Sequence, residues 1–519
     1  MISQPDKIAD KLCRSQALSI CWFFMMLLIG ILSTGRAWAN TSPTPTFPGF
    51  MAAFEIALAK NDFPALQKIA GAQPEKLRIL FEDVLSDYSL AATESRGKDA
   101  ENLSALAAAA AVISQELFDD LFLSHQLRLC KGWELNEHLA KVKADIFLRK
   151  AKTAFHEGRY GDVVSPGKSA LKLYSAINDE TGRGTTLHYM GQAQRRLADY
   201  PAALSLHNEA LKQAVQAGDS FNRGRALIDI GDIYERKKEM ETAIEFYTEA
   251  LQILKSPAHW QEASRALRQL GDVHVATGDF ENAYRSYNQA LQYAERAKDM
   301  WHIAEYNDYI GFCHRSLGDY TMAIKYHQLA LGQAEKIVTD IDRLRASARA
   351  LNHLGICVSK IAEEYAADGD TAEAVKKYRE AISHEEKALV AATQVQDRWR
   401  QGYLLRALSH MHRELGALLS GEETLQEFNN SLARADEAFA LGRQMKEKEW
   451  QGLALHSRGL ALLLLNRDRE GRKAFQQALD LWEKMGDLQS AGYAHQFLAR
   501  KFYEAKDRLA DAETSYDHA

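Results

Sequence analysis

The chain of 519 residues is poor in proline: it holds nine, and none follows Pro257. The half beyond that point lacks the strongest helix breaker, which suits an all-helical fold. Cysteine is scarce too. Of five, Cys13 and Cys21 lie near the N-terminus, and Cys130, Cys313 and Cys357 are widely spaced. An odd, scattered set excludes a disulfide framework. The formal net charge is −6 with 26% charged residues, and no basic stripe gives a reason to expect nucleic acid. Glycine-rich phosphate loops and nucleophile elbows are missing as well. No second type of domain stands out, although the length exceeds what one ordinary core would need.

What is present begins with an address. Lys7, Lys11 and Arg14 precede an apolar run over residues 17–32, and Ala37-Trp38-Ala39 supplies small residues at the A-x-A positions. This layout predicts a secretory signal peptide over residues 1–39, cut before Asn40, and so an exported protein, periplasmic or extracellular. The competing reading is an uncleaved N-terminal anchor, for which a sixteen-residue run is short. On the first reading the mature chain has no membrane span. Residues 40–49, NTSPTPTFPG, read as a semi-rigid proline-rich linker. Residues 50–143 show helical spacing of apolar side chains without a fixed repeat, and suit an N-terminal capping region. Pro64 and Pro74 mark helix starts there, and RGKDAEN over residues 96–102 reads as a loop before an alanine-rich helix.

From residue 144 to 519 the chain keeps a beat. Gly191, Gly231, Gly271 and Gly311 lie forty residues apart, and twelve residues after each stands Ala203, Ala243, Ala283 or Ala323. Seven further on come Ala210, Ala250, Ala290 and Ala330, each followed by leucine. Ala151 takes the glycine position before them, and Gly355, Ser409, Gly459 and Ala499 take it after, giving about nine copies. The wider steps late in the series place extra residues near 362–371 and 420–430, which should lengthen helices or loops. Cys313 and Cys357, two residues after a repeat glycine, read as buried apolar side chains.

Each copy reads as an antiparallel helix pair. Leu227, Ile230 and Tyr234 share one face of the first helix. Glycine inside a helix costs about 1 kcal/mol against alanine, so Gly231 implies a close neighbour, and Ala243 is the small residue expected there. Gly278-Asp279 and Gly318-Asp319 supply a left-handed helix end and a cap for the next helix.

Small at position 8, alanine at 20, aromatic at 24 and alanine at 27 of each copy resemble the tetratricopeptide repeat. Gly231, Ala243, Tyr247 and Ala250 match, as do Gly271, Ala283, Tyr287 and Ala290. The forty-residue spacing departs from the usual thirty-four and resembles Pins-type scaffolds and the repeat region of bacterial proteins ending in a CHAT-type protease. The resemblance implies an all-α, right-handed superhelical solenoid whose first helices line a concave groove for a protein or peptide.

In that geometry the outward stripe sits at −6, −3, +1 and +4 from each glycine. It reads Thr185, His188, Gln192 and Arg195, then Arg225, Ile228, Asp232 and Glu235. Arg265, Arg268, Asp272 and Val275 continue it, followed by Glu305, Asp308, Phe312 and Arg315, and by Arg349, Asn352, Ile356 and Ser359. The candidate partner-binding residues are His188, Gln192, Arg195, Arg225, Asp232, Glu235, Arg265, Arg268, Asp272, Asp308, Arg315, Arg349 and Asn352, since arginine grips carboxylates bidentately. The bland reading of the same face is a helix surface laced with internal ion pairs.

Catalysis finds no support. His410 and His412 are two residues apart and point to different sides of a helix, His384-Glu385-Glu386 lacks a second histidine, and His207 and His327 occupy the aromatic position as packed rings. Neither a catalytic residue, a metal site nor a cofactor is expected. Two functions fit: an exported, non-enzymatic protein-binding scaffold, or the regulatory portion of a larger CHAT-type enzyme or receptor cut short at Ala519. The oligomeric state is not encoded in any pattern here.

Overall fold

The computed structural model describes residues 48–487, 490–492 and 494. The expected signal peptide, nearly all of the proline-rich linker and the copy around Ala499 lie outside the described residues. Those described form helices and no strand, and divide into two compact units, up to Ala266 and from Leu267 on. None of their helices is long and apolar enough to cross a membrane.

The first unit opens with α1 (Pro48–Ala59), α2 (Phe63–Ala72), α3 (Glu75–Thr93), α4 (Gly97–Phe118) and α5 (Phe122–Lys131). Pro64 lies in the first turn of α2 behind the Asp62 cap, and Pro74 caps α3. The stretch RGKDAEN, expected as a loop, instead starts α4 at Gly97, with Asp99 in its first turn where a negative charge suits the helix dipole. Phe54, Leu66, Leu80, Phe81 and Ile113 make a core of their own, to which the alanine-rich face of α4 contributes Ala107, Ala110 and Ala111. Helix pairs follow: α6 (Leu135–His156) with α7 (Val164–Ala176), α8 (Glu180–Arg196) with α9 (Tyr200–Ala217), and α10 (Ser220–Arg236) with α11 (Met240–Ile253). The face of α6 that no preceding pair covers packs on α3.

The unit boundary falls within α12 (Trp260–Ala276). The second unit continues through α13 (Phe280–Ala297), α14 (Met300–Ser316), α15 (Tyr320–Ala334), α16 (Asp340–Ala367) and α17 (Thr371–Gln394). It then runs through α18 (Arg398–Leu418), α19 (Glu422–Met445), α20 (Lys448–Leu464) and α21 (Asp468–Met485). The extra residues of the later copies lengthen helices: α16 has 28 residues and α17 and α19 have 24 each.

The turns follow the expected chemistry. Gly278 and Gly318 adopt φ of 79° and 82°, and the carboxylates of Asp279 and Asp319 accept from the amides of Asn282 and Met322. The role of the recurring glycine differs from the expectation. It makes room for the ring sixteen residues on, not for the alanine at twelve. A Cβ at Gly231 would stand 2.6 Å from Tyr247 Cε1, one at Gly271 2.4 Å from Tyr287 Cε1, and one at Gly311 2.7 Å from His327 Cε1. The second helix thus drives a ring against the backbone of the first, and Ala243, Ala283 and Ala323 fill the buried seam beside it. His207 and His327 take the ring slot fully buried. Ser409, in the glycine position of α18, meets Ser431 of α19: each hydroxyl donates to the other's carbonyl, at 2.9 and 2.7 Å. Cys313 and Cys357 are free and buried, and burial pushes both thiols up to about 12.

Candidate protein-binding face

Within each unit the stripe residues lie on one side of the first helices, but that side is less open than the sequence implies. Gln192, Asp232, Asp308 and Asn352 are buried, and His188, Arg195, Arg225, Glu235, Arg265, Arg268, Asp272, Arg315 and Arg349 are half-buried. Neighbouring first helices satisfy each other's charges.

In the first unit the centre of this lacing is Asp229, one position off the stripe and almost fully buried. Its carboxylate accepts from Gln192 Nε2 at 2.6 Å and Arg265 Nη2 at 2.7 Å, with His188 Nδ1 at 2.6 Å. Arg265 Nη2 also reaches Asp232 at 2.9 Å, and the Tyr247 hydroxyl donates to Asp232 and Glu235, each at 3.0 Å. Arg195 donates to Gln192 Oε1 at 2.7 Å, and Arg225 donates to Asn222 Oδ1 at 2.6 Å while lying over the Phe221 ring. Burial opposes the Asp229 charge, yet His188, Arg265 and His207 outweigh it and hold the carboxyl well below the usual range.

The second unit repeats the device. Arg268 pairs with Asp272 at 2.7 Å, and Asp272 also accepts from the Tyr287 hydroxyl at 2.7 Å. Arg349 donates to Glu305 at 3.1 Å, and its Nε lies 3.0 Å from Asp308 Oδ2, as an ion pair and not an aligned hydrogen bond. Asp308 Oδ1 is 2.8 Å from His327 Nδ1 and 2.9 Å from His353 Nδ1. Donor atoms of Asp308, His327 and His353 all lie within 4.8 Å of one another, a possible three-ligand metal set that the sequence reading did not single out. Arg349 already places positive charge beside that carboxylate, so the arrangement acts first as a neutralised buried network.

Further along, the face opens into a cleft of about 890 Å³. It crosses four first helices: Phe312 and Arg315 come from α14, His353 and Ile356 from α16, Trp399, Tyr403 and Arg406 from α18, and Trp450 from α20. Trp399 and Tyr403 are 54% and 56% exposed, and both stand edge-on to Trp450, at 5.3 and 5.7 Å between centroids. The guanidinium of Arg315 lies 4.9 Å from the Phe312 centroid and that of Arg406 lies 5.8 Å from the Tyr403 centroid. Among the described residues neither arginine has a carboxylate within ion-pair distance, and Arg406 Nε is buried without an acceptor.

Of the expected stripe residues, Phe312, Arg315, Asn352 and Ile356 line this cleft. Tyr403, Arg406, Trp399, Trp450 and His353 were missed. Tyr403 and Arg406 stand at −6 and −3 from Ser409, so the same register carried one copy further finds them. Elsewhere the histidines separate: His412 is buried with Nδ1 2.6 Å from Glu427, whereas His410 is exposed.

Residues 182–256 and 264–296 each match a sequence family described as the tetratricopeptide repeat. Comparison with curated proteins gives no match. Among solved structures, the chain is similar to the apo form of the quorum sensor NprR from B. thuringiensis, at 14% identity, with 77% of this chain and 98% of that one covered and a TM-score of 0.45. It is also similar to a signal transduction ATPase with numerous domains and a tetratricopeptide repeat sensor from Pyrococcus horikoshii, at 13% identity, 85% and 64% coverage and a TM-score of 0.47. A third is aspartyl phosphate phosphatase F from Bacillus subtilis, at 14% identity, 77% and 93% coverage and a TM-score of 0.40.

Proposed function

We propose that this tetratricopeptide-repeat protein is an exported, non-enzymatic scaffold that takes a protein or peptide segment on the faces of its first helices. The observation that carries the reading is the cleft over α14, α16, α18 and α20, where two large aromatic side chains stay more than half exposed beside Arg315 and Arg406, neither of which has a carboxylate within ion-pair distance among the described residues. Aromatic residues and arginine are the types that dominate binding energy at protein interfaces. Over the rest of the stripe, Arg265, Arg268 and Arg349 are already matched by carboxylates, so that part serves the scaffold and the cleft serves the partner. The non-enzymatic reading draws on the histidines: His207 and His327 are packed in ring slots, and His188 and His353 hydrogen-bond to buried aspartates. Export rests on the sequence of residues 1–39, and N-terminal sequencing of the protein from the cell envelope should begin at Asn40.

Site-specific photo-crosslinking tests the binding face. A benzoylphenylalanine at Tyr403 should trap a partner polypeptide in the producing cell, whereas the same group at the exposed Lys212 of α9 should not. Identical adducts at both positions, or none at Tyr403, would remove the cleft from consideration.

A further inference from the structure

Resting on that reading of the cleft, we infer that the segment it takes is an acidic one: a carboxylate held by Arg315 and Arg406, with an apolar or aromatic side chain beside it on Trp399 and Tyr403.

The arginines separate by their partners. Arg265, Arg268 and Arg349 each meet a carboxylate from their own or a neighbouring first helix, and Arg225 meets an amide oxygen. Among the described residues Arg315 and Arg406 have no carboxylate partner and lie over ring faces, those of Phe312 and Tyr403. A guanidinium offers five donors in a fixed fork, and leaving buried ones unmade is unfavourable. Arg406 Nε is such a donor. Burial also pulls the Arg406 pKa down from its ordinary value, as expected of a cation short of a counter-charge. The Tyr403 ring lies 5.8 Å from the guanidinium carbon and takes none of its donors, which leaves the fork available to a bidentate acceptor.

The acids at the cleft narrow the choice of anion. Asp397 caps α18 and is paired with Arg400 at 3.3 Å, and Glu449 attracts Arg406 only from beyond ion-pair distance. With these two negative charges at the site and a net charge of −6 on the chain, a polyphosphate strand would be repelled along most of its length. One or two carboxylates would not. The exposed indole and phenol rings give an adjoining apolar side chain a surface to cover, where truncation effects are usually largest.

The test pans random peptides displayed on phage against the full chain, then measures one enriched peptide by fluorescence anisotropy. The enriched set should pair aspartate or glutamate with phenylalanine, tryptophan or leucine. Arg315→Glu, Arg406→Gln and a glutamate-to-glutamine change in the peptide should each weaken binding about tenfold or more. Circular dichroism melts confirm that each variant is folded, and Arg315→Glu on the half-exposed side chain keeps the test valid if Arg406→Gln is not. Peptides that lose affinity with Trp399→Ala but show no acidic preference would overturn this inference and leave the cleft reading standing. Peptides indifferent to every cleft variant would overturn both. Cleft-dependent binding of a labelled oligothymidylate, with no acidic peptide enriched, would also overturn the inference.

Discussion

Arg78 of α3 grips Asp219, the cap of α10, through two parallel hydrogen bonds of 2.8 Å across 141 residues of sequence. Its guanidinium lies between the rings of Phe122 and Phe221, at 4.9 and 4.6 Å, and Asp219 also accepts from the amide of Asn222. The clamp ties the helices before the repeats to the third helix pair. Burial opposes the Asp219 charge, but Arg78 and Asn222 more than compensate and depress its pKa. Arg78→Ala leaves a buried carboxylate unpaired and should cost about 3–5 kcal/mol in urea unfolding. Lysine cannot reproduce the fork and should recover only part of this. A group with a depressed folded pKa adds stability above its unfolded pKa and loses it as pH falls through the folded one. The gap between wild type and Arg78→Ala should therefore narrow below about pH 4, the ordinary aspartate range. A gap that does not change with acid would place the clamp's worth in ring packing instead.

Glu385 of α17 occupies the ring slot opposite Gly355: its Oε1 would be 2.6 Å from a Cβ at that glycine. The side chain is fully buried, neither oxygen has a hydrogen-bond partner among the described residues, and burial raises its pKa well above the usual carboxyl range. The folded state thus holds a proton that the unfolded state releases above about pH 4.3. Stability must fall as pH climbs from there toward the folded pKa. Glu385→Gln removes this slope, so its melting temperature should exceed that of wild type at pH 8 by several degrees and match it more closely at pH 5. A constant difference across that range would mean that the native carboxylate is already ionised and paired.

Gly271 and Gly332 should respond to alanine with opposite signs. At Gly271 the added Cβ would stand 2.4 Å from Tyr287 Cε1, a ring fixed by its bond to Asp272, whereas at Gly332 it would meet nothing within 4 Å. Overpacking should cost about 1–3 kcal/mol at the first site, less what alanine gains in helix propensity. The second should gain up to about 1 kcal/mol. Urea midpoints of the two variants read the signs directly. Stabilisation at both would show that the ring slot is looser than these distances imply.

Much of this fold is legible in the chain because helix pairs depend on local patterns: glycine, ring and alanine at fixed intervals, and Gly-Asp at the turns. What the intervals could not give is which contact each glycine serves, since Ala243 and Tyr247 are both conspicuous and only packing decides between them. The site was less legible for a different reason. The stripe register identifies a face, but whether Arg265 is free or already bound depends on Asp229, which stands two residues before its repeat glycine and outside the register. Tyr403 and Arg406 of the cleft were within reach of the register carried to Ser409, whereas Trp399 and Trp450, ten residues before Ser409 and nine before Gly459, lie outside it.

Charge reversal on this face should separate scaffold from site. Arg265→Glu would set a third carboxylate beside Asp229 and Asp232, both buried and both bonded to the lost guanidinium. A buried charge without its partner and with new like-charge neighbours belongs to the most damaging class of substitution, about 4 kcal/mol or more. Arg315→Glu removes a contact with the Phe312 ring and breaks no ion pair among the described residues, so it should leave stability within about 0.5 kcal/mol of wild type. Thermal melts of the two proteins, run beside partner capture, make the distinction: Arg265→Glu should lose binding together with its fold, and Arg315→Glu should lose binding while melting normally. If Arg265→Glu melts like wild type, the ion pairs around Asp229 are not what holds these first helices together.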